Sequence, residues 1–263
     1  MGGSYGEPFS IGQKRLFKDR HVDRRLQNKT IIVTGGASGM GAAQVARFAT
    51  EGARVIVADR DEHKAIEVAA SCEGAAIAVA LDVRSEQGWA ECVARAADLG
   101  GGSIDGLVNN AGILREETLE ETSYESYRLL IDVMQDGVFL GMRAVAPFLR
   151  RAGGGAIVNI SSTAGLVGYP KNFAYVAAKF AVRGMTKAAA LDLAADKIRV
   201  NSVHPGNTDT PMIASFNYPV DDVPLKRNAT ADEIASLALF LLGDESKYIT
   251  GAEHAIDGGY TAY

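Results

Sequence analysis

The segment T-I-I-V-T-G-G-A-S-G-M-G, at Thr30–Gly41, decides the fold of this chain. It begins as a short β-branched run, turns through four glycines, and leads into a helical pattern over Met40–Glu51 that ends at Gly52. A strand that turns through glycines directly into a helix is the first unit of an alternating α/β chain.

The alternation of strand and helix continues to the end of the chain. Short apolar runs predict seven strands, at Thr30–Thr34, Arg54–Asp59, Ala75–Leu81, Ile104–Asn109, Ala156–Ile160, Ile198–Val203 and near Glu253–Ile256. Helical patterns separate them, at Met40–Glu51, Asp61–Cys72, about Ser85–Leu99, near Tyr124–Arg150, about Phe173–Ala195 and Ala231–Leu242. Strands that are apolar on both faces predict a parallel sheet covered by helices on both sides. Right-handed crossovers then give a single-domain, doubly wound, Rossmann-type α/β fold.

Composition narrows the class of protein. The chain has 263 residues, of which 47% are hydrophobic, so one large domain with a sizeable core is expected. A net charge of −5 argues against a nucleic-acid partner. No apolar run reaches the roughly 20 residues of a membrane span, and the N-terminus lacks the apolar core of a signal peptide. We therefore expect a cytoplasmic protein with no membrane contact.

Cysteines and histidines give no sign of a disulfide or a metal site. Cys72 and Cys92 form no Cys-x-x-Cys, and we interpret them as ordinary core or surface thiols. The four histidines have no ligand spacing; they are His21, His63, His204 and His254. No metal is expected.

Residues 1–28 differ in composition from the rest. They begin glycine-rich and become basic, with few aromatic or aliphatic residues. We expect a mobile or loosely docked extension, the alternative being an arm over a neighbouring subunit or the mouth of the site. Residues 29–263 form, in this prediction, one α/β domain.

The glycine turn predicts a pyrophosphate site. Gly35, Gly39 and Gly41 allow a tight turn and a close approach of a ligand, and the helix that follows directs its free N–H groups at the phosphates. Ser38 and Met40 lie in the same turn. The spacing G-x-x-x-G-x-G differs from the common G-x-G-x-x-G, and a glycine turn alone is weak evidence. Its place between a strand and a helix strengthens the prediction.

Asp59, at the end of the second strand, favours NAD over NADP. A carboxylate there can accept hydrogen bonds from the adenosine ribose hydroxyls, and it repels a 2′-phosphate. Arg60 complicates this preference because a guanidinium could pair with that phosphate. A plain carboxylate at a strand end remains the alternative for Asp59.

Two further segments follow strands on the side where ligands bind. Asp82 and Val83 follow the third strand, and Asp82 could accept from the adenine amino group. Asn109, Ala111 and Gly112 follow the fourth strand and could line the adenosine and ribose. Ordinary turn chemistry explains the same residue types equally well.

Ser162, Tyr175 and Lys179 are the candidate reacting residues. Tyr175 and Lys179 lie one helical turn apart and share a face. A nearby ammonium should lower the pKa of a phenol from about 10, and Lys179 can also bind a nicotinamide ribose. Ser162 follows the fifth strand and can hold a substrate oxygen against Tyr175. Taken singly, each has a simpler explanation, since Tyr-x-x-x-Lys arises by chance and serine often caps helices.

From about Lys29 to Tyr260 the chain resembles the short-chain dehydrogenase/reductase family. The motifs that carry the resemblance are T-G-G-A-S-G-M-G at 34–41, Asp59, Asp82-Val83, N-N-A-G at 109–112, Ser162, Tyr175 with Lys179, N-S-V-H-P-G at 201–206, Thr208, Thr210 and I-T-G-A-E-H-A-I-D-G-G-Y at 249–260. The resemblance implies that the nicotinamide end of the cofactor meets Pro205, Gly206, Thr208 and Thr210. It also implies homotetramers or homodimers built from the two long helices and the C-terminal segment.

One position departs from the family pattern. In the stretch I-D-V-M-Q-D-G-V-F at 131–139, Met134 stands where family members often have an asparagine that holds a water in a proton relay. A thioether is a weak acceptor and cannot donate. Gln135, on a regular helix, points about 100° away. The relay is therefore rerouted, or the enzyme is slow, or the helix is locally bulged; we expect activity to be retained.

The expected reaction is interconversion of a secondary alcohol and a ketone, with NAD as cofactor and Tyr175 as general acid and base. The alternatives are a 3-oxoacyl thioester reductase and a non-catalytic NAD-binding protein. Specificity should come from Leu114–Glu117, Gly165–Asn172 and the segment from Pro211 to about Leu225. Aromatic residues in the last segment favour an apolar or ring-shaped substrate, whereas Arg115 and Lys171 could attract an anionic group.

Overall fold

The computed structural model describes residues 24–216 and 218–262, which contain one seven-stranded sheet. The strands are β1 (Thr30–Thr34), β2 (Arg54–Asp59), β3 (Ala76–Ala80), β4 (Gly106–Asn109), β5 (Gly155–Ile160), β6 (Ile198–Pro205) and β7 (Glu253–Ile256). All neighbours pair in parallel, in the order β3-β2-β1-β4-β5-β6-β7. The predicted doubly wound, Rossmann-type α/β fold is confirmed.

Helices cover both faces of the sheet. They are α1 (Gly39–Thr50), α2 (Glu62–Ala70), α3 (Glu86–Leu99), α4 (Tyr124–Ile131), α5 (Gly137–Arg151), α6 (Phe173–Leu193) and α7 (Ala231–Leu242). Side chains of α1, α2 and α7 form one core cluster with the sheet, and those of α3, α5 and α6 form the other. α4 packs on α6 in a smaller third cluster.

Alternate residues of each central strand enter opposite clusters. In β1, Ile31 and Val33 join Phe48 of α1, whereas Ile32 joins Trp89 of α3. All five side chains are almost completely buried. Burial of both faces explains why the strands are continuous apolar runs without alternation of polar residues.

The order of the strands determines where the ligand-binding crevice lies. The chain moves outward in one direction through β1, β2 and β3, then returns to lay β4 on the other side of β1. A crevice forms beyond the carboxyl ends of the strands at such a reversal, and ligands of this fold class bind there. The segments after β1, β2, β4 and β5 therefore converge on one edge of the sheet.

Residues 24–28, the described part of the predicted extension, pack on the domain. Leu26 is fully buried, and the backbone N–H of Arg25 donates to the carboxylate of Glu51. The guanidinium of Arg25 also pairs with Glu245. Residues 1–23 of the predicted extension lie outside the described residues.

The helix predicted over Tyr124–Arg150 is interrupted by a π-helical turn at Asp132–Asp136. Met134 lies inside this turn and is 1% exposed. Arg128, one turn earlier, hydrogen-bonds the carboxylates of Asp132 and Asp136. Of the three outcomes considered for Met134, the structure therefore shows the local bulge, a deformation often found at functional sites.

Both cysteines are unpaired thiols, Cys92 buried and Cys72 partly buried, and burial raises the pKa of Cys92 to about 12. Across residues 24–216 and 218–262, no three His, Cys, Asp or Glu side chains are grouped to hold a metal ion. No helix in this part of the chain is both long and apolar enough to cross a membrane.

Candidate active site

The glycine turn after β1 requires its glycines for steric reasons. Gly35 and Gly39 have φ values of +63° and +52°, which residues with a Cβ rarely adopt. A Cβ on Gly41 would lie 2.0 Å from the carbonyl oxygen of Gly35. The spacing G-x-x-x-G-x-G is therefore a condition for this backbone path.

The N-terminus of α1 is left free to meet an anion. Ser38 is the N-cap residue but makes no side-chain capping bond, and the first turn contains no acidic residue. The first N–H groups of the helix and its positive dipole end are thus not neutralised by a side chain. Because Ser38, Gly39 and Met40 line the adjoining cleft, this terminus fits a pyrophosphate.

Asn110 stabilises the glycine turn through hydrogen bonds. The sequence analysis assigned the cofactor contact to its neighbour Asn109 and gave Asn110 no role. Its Nδ2 donates to the carbonyl of Thr34 at 3.0 Å, and its backbone N–H donates to the Thr34 hydroxyl at 3.0 Å. Its Oδ1 is buried and has no hydrogen-bond partner among the described residues. Asn110 lines the cleft, so its unpaired buried oxygen can accept a hydrogen bond from a donor group of a bound ligand.

The side chain of Asn109, a residue predicted to line the cofactor site, lies in the interior of the sheet layer. Asn109 is 3% exposed and donates from Nδ2 to Oδ1 of Asn159 at 2.9 Å. Asn159 in turn donates to the hydroxyl of Thr186. A buried amide must satisfy its hydrogen bonds, and it does so here inside the sheet layer, which removes this side chain from the cleft.

Asp59, which was predicted to bind the adenosine ribose, has its carboxylate fixed by two backbone N–H groups. Its Oδ2 accepts from the backbone N–H of Ala37 at 3.1 Å, and its Oδ1 accepts from that of Asp61 at 3.0 Å. These bonds fix the carboxylate at the edge of the cleft. Each oxygen keeps a lone pair for a further donor, such as a vicinal hydroxyl.

Asp82 is held in an ion pair instead of being a free acceptor for adenine. Its Oδ1 accepts from Arg84 Nε at 2.9 Å and from the Arg84 backbone N–H at 3.0 Å. The guanidinium holds the pKa of Asp82 below its usual value. Asp82, Arg84 and Arg60 all line the cleft, so this end of the cleft carries two guanidinium groups. Only that of Arg60 was considered in the sequence analysis.

Most of the predicted cofactor residues line one or both of two adjoining cavities, whereas Gly41, Asn109 and Lys179 line neither. Those lining the first are Gly35, Ser38, Gly39, Met40, Asp59, Arg60, Asp82, Val83, Ala111, Gly112 and Thr210. Those lining the second are Met40, Tyr175, Pro205, Gly206, Thr208 and Thr210. Met40 and Thr210 belong to both walls, so one continuous path leads from Asp59 to Tyr175. Together with the free end of α1, this path fits a dinucleotide.

Ser162, Tyr175 and Lys179 meet at the inner end of this path. The Ser162 hydroxyl lies near enough to the Tyr175 phenol to favour a lower pKa of that phenol. Lys179 Nζ lies 5.5 Å from the centroid of the Tyr175 ring. The parallel sheet brings the end of β5 to the helix α6 that follows it, and so joins residues that are thirteen positions apart in sequence.

Lys179 is a buried amine with one fixed acceptor. It is 4% exposed, and its Nζ donates to the carbonyl oxygen of Ile160 at 2.9 Å. Burial lowers the pKa of Lys179 to about 8. The ammonium form therefore predominates only below about pH 8.

The expected lowering of the Tyr175 pKa is not found in the chain by itself. Burial raises the pKa of the Tyr175 phenol, and the hydrogen bond with Ser162 opposes this rise. The amine of Lys179 lies over the ring face, 5.5 Å from its centroid. The desolvation of the phenolate thus outweighs any help from this amine, which corrects the sequence-based expectation.

His204, which lies in the N-S-V-H-P-G motif but was given no role in the sequence analysis, supports Ser162. It is completely buried at the end of β6, with Nδ1 2.9 Å from the carbonyl oxygen of Ser162 and Nε2 2.8 Å from the hydroxyl of Ser202. A carbonyl can only accept, so Nδ1 carries the proton and Nε2 accepts from Ser202. Burial lowers the pKa of His204 and favours this neutral form. No sequence signal marks this role, because β5 and β6 meet only in the sheet.

The end of β5 is therefore fixed at three successive residues. Ile160 accepts from Lys179 Nζ, Ser161 donates from its hydroxyl to the Lys179 carbonyl at 3.0 Å, and Ser162 accepts from His204. These bonds tie the strand end to α6 and β6. The Ser162 hydroxyl is thereby held close to Tyr175.

Met134 adjoins Lys179 through the π-helical turn. A Cβ built on Gly112 would lie 3.7 Å from Met134 Sδ and 3.8 Å from Lys179 Nζ, so thioether and amine flank the same point. The thioether gives the amine neither a donor nor a strong acceptor. The interrupted helix thus keeps an apolar side chain beside the buried amine.

A sequence model of a protein family described as enoyl-(acyl carrier protein) reductase matches residues 35–261 of this chain. The trans-4-hydroxycyclohexanecarboxylate dehydrogenase of Sinomonas cyclohexanicum is 43% identical over 250 residues, covering 92% of this chain and 96% of that protein. The 3-alpha-(or 20-beta)-hydroxysteroid dehydrogenase of Mycobacterium tuberculosis (strain H37Rv) is 44% identical over 238 residues, covering 90% and 91%.

Solved structures show the same fold over almost the whole chain. The crystal structure of the 3-ketoacyl-(acyl-carrier-protein) reductase of Brucella melitensis complexed with NADH superposes with a TM-score of 0.87. It is 34% identical to this chain and covers 90% of it and 99% of its own length. The relatives are oxidoreductases, and the two dehydrogenases are named for a hydroxycyclohexanecarboxylate and for hydroxysteroids.

Replacing His204 tests its support of Ser162. We expect His204→Leu, which removes the Nδ1 donor, to lower kcat/KM by about 10- to 100-fold because Ser162 loses its fixed position. We expect His204→Asn, which places an amide donor near the Nδ1 position, to recover most of this loss. Dissociation constants for NAD, measured by calorimetry, should stay unchanged in both variants. Equal losses of kcat/KM in the two variants would show that the position of Ser162 depends on the volume of the His204 side chain and not on its hydrogen bond.

Replacing Met134 tests the surroundings of the buried amine. We expect Met134→Asn to raise kcat several-fold, since an amide beside Lys179 supplies both a donor and an acceptor for proton movement. Met134→Leu keeps the apolar character and volume of the side chain and should leave kcat near the wild-type value. Steady-state turnover of both variants gives the comparison, with thermal unfolding as a check on folding. An unchanged kcat in Met134→Asn means that protons leave by a path independent of this position.

Proposed function

This chain belongs to the short-chain dehydrogenase/reductase family of oxidoreductases, and we propose that it uses NAD to interconvert a secondary alcohol and a ketone. The observation that carries the proposal is the meeting of Ser162, Tyr175 and Lys179 at the end of a dinucleotide-shaped path. Its relatives are named dehydrogenases, which supports oxidation of an alcohol as the reaction.

In the proposed reaction Tyr175 is the general acid and base. The substrate oxygen lies between the Ser162 and Tyr175 hydroxyls, and the alcohol proton passes to Tyr175 as the carbonyl forms. NAD, when bound, accepts the hydride from the alcohol carbon and brings a positive ring. That charge and the Lys179 ammonium together favour the phenolate, which burial alone disfavours. Above about pH 8 the contribution of Lys179 is lost as its ammonium deprotonates.

The chain's own residues position the cofactor in this proposal. Asp59 accepts from the adenosine ribose hydroxyls, and the N–H groups at the start of α1 bind the pyrophosphate. Pro205–Thr210 contacts the nicotinamide end, as the family resemblance implies. NAD is preferred because the Asp59 carboxylate would face the 2′-phosphate of NADP.

A 3-oxoacyl thioester reductase is a second candidate. It is favoured by the similarity to the 3-ketoacyl-(acyl-carrier-protein) reductase of Brucella melitensis, a protein crystallised with NADH. Oxidation of cyclic alcohols and reduction of a neutral acetoacetyl thioester, measured side by side, distinguish the two. A non-catalytic NAD-binding role has only Met134 in its favour, and the assembled Ser162, Tyr175 and Lys179 argue against it.

Exposed apolar side chains support the proposed assembly into a homotetramer or homodimer. Phe139 of α5 and Phe180 and Leu191 of α6 are 48%, 39% and 81% exposed. Large apolar groups on neighbouring helices favour burial against a second copy. The two long helices were the expected interface.

Tyr175→Phe isolates the proton-transfer role. The change removes one hydroxyl and keeps the ring, so we expect kcat for alcohol oxidation to fall by about 10²–10⁴-fold. NAD should bind with an unchanged dissociation constant by calorimetry. Reduction of NAD, followed by absorbance over a panel of cyclic and linear alcohols, gives the rates. Turnover at the wild-type level in Tyr175→Phe would refute the assignment.

Asp59→Ser tests the cofactor preference. Removing the carboxylate abolishes its repulsion of a 2′-phosphate and leaves Arg60 to pair with it, so we expect the NAD-to-NADP ratio of kcat/KM to fall about 100-fold, or about 2.7 kcal/mol. The double variant Asp59→Ser with Arg60→Ala should lose the gained activity with NADP. A ratio unchanged by Asp59→Ser would show that the preference is set elsewhere.

A further inference from the structure

A hydrogen bond joins two loops that leave the sheet on opposite sides of Ser162. The Tyr218 hydroxyl donates to Oε1 of Glu116 at 2.6 Å. Glu116 follows β4 and Tyr218 follows β6, and in the sheet these two strands flank β5, whose end leads into Ser162. Because neighbouring strands are parallel, all three segments emerge at the same edge of the sheet. The bond from Tyr218 to Glu116 therefore spans the end of β5, where Ser162 lies.

Tyr218 lies close to the reacting groups. It lines the same cavity as Ser162 and Tyr175. Burial, the hydrogen bond and charge of Glu116, and the charge of an ionised Tyr175 all raise the pKa of Tyr218, so the two phenols lie within electrostatic reach of each other. The Tyr218 ring also stacks on that of Phe216, with centroids 5.5 Å apart and an interplanar angle of 21°. The ring is thus held by Phe216 and the hydroxyl by Glu116.

The loop that carries Glu116 is fixed to the start of α6. The backbone N–H of Glu117 donates to the carbonyl of Lys171 at 2.8 Å, and Glu117 forms an isolated parallel β-bridge with Asn172. Asn172 is the N-cap residue of α6, the helix that carries Tyr175. The backbone at Glu116 is therefore positioned relative to the helix of the reacting phenol, while the Glu116 side chain is exposed to solvent.

The bond to Glu116 uses the single proton of the Tyr218 hydroxyl. A phenol has one O–H donor, and an ionised carboxylate has none. While Glu116 accepts that proton, Tyr218 does not compete with Ser162 and Tyr175 as a donor to the substrate oxygen. What Tyr218 gives the cavity is then the apolar surface of its ring, at a position that the bond fixes.

We propose that the Tyr218–Glu116 hydrogen bond selects substrates by size: it holds the Tyr218 ring across the cavity, so that compact alcohols bind beneath it and extended alcohols must break it. This inference rests on the proposed function and adds a pair of specificity-determining residues to it. A substrate that breaks the bond gives up a phenol-to-carboxylate interaction, which lowers its apparent affinity. The loss is moderate, because water can replace either partner at the exposed carboxylate of Glu116.

A double-mutant cycle tests the proposal. Glu116→Ala removes the acceptor, Tyr218→Phe removes the donor and keeps the ring, and the double variant removes both. The probes are cyclohexanol and trans-4-phenylcyclohexanol, which has the same reacting ring and extends away from it, each with NAD and with NADP. We expect each single variant to raise the ratio of kcat/KM for the extended alcohol to that for the compact alcohol by about five- to tenfold. The double variant should raise this ratio no further, because the two residues act through one bond.

Glu120→Ala is the matched control, because it removes an exposed carboxylate from the same loop. Its ratio of kcat/KM should equal that of the wild type. An unchanged ratio in Glu116→Ala and Tyr218→Phe overturns the proposal, and so do effects that add up in the double variant. Dissociation constants for NAD, from calorimetry, and thermal unfolding temperatures should match the wild type. A loss of NAD affinity that accounts for the altered ratio would place the effect at the cofactor and likewise overturn the proposal.

The two proposals fail in different ways. If the wild-type protein oxidises neither alcohol with either cofactor, the proposed function is refuted, and the inference about substrate size falls with it. If the wild type oxidises cyclohexanol and the variants keep its ratio of kcat/KM, the proposed function stands and only the role of the Tyr218–Glu116 bond is refuted.

Discussion

The rest of the site depends on the hydrogen bond from the buried Lys179 ammonium to the carbonyl at the end of β5. It joins the helix that carries Tyr175 to the strand that leads into Ser162, and the Ser161 hydroxyl returns a second bond to the lysine carbonyl. His204 fixes the next residue from the other neighbouring strand. Because a buried amine without an acceptor would be costly, the need to satisfy Lys179 helps to fix the distance between strand and helix.

The cofactor side is built from the same edge of the sheet by backbone geometry. Positive φ angles at Gly35 and Gly39 let the chain turn beneath a helix whose N-terminus is left uncapped. Asp59 and Asn110 then hold the turn from the neighbouring strands, through bonds to Ala37 and Thr34. The path from Asp59 to Tyr175 follows from strand order, since β2, β1, β4 and β5 are neighbours in that sequence. Binding and chemistry are thus arranged along one sheet edge.

The fold could be predicted from the sequence because its signals are local. Apolar strands such as Arg54–Asp59 and capped helices such as Ala231–Leu242, with Thr230 and Glu233 in a capping box, were predicted at their observed limits. Neighbours in space decide what the sequence leaves open. Asn109 was predicted to line the cofactor site, and its side chain is held in the interior by Asn159 of the adjacent strand. A local bulge in the helix over Tyr124–Arg150 was one of three outcomes considered, and only the structure shows a π-helical turn at Met134.

The sequence by itself determined the alternating α/β pattern, the glycine turn, Asp59 and the one-turn spacing of Tyr175 and Lys179, because each depends on residues close together in the chain. Only the tertiary structure decided the support of Ser162 by His204 and the pairing of Asp82 with Arg84. It also decided that burial raises the pKa of Tyr175. Desolvation and charge depend on everything that surrounds a group, and those surroundings come together only when distant segments pack.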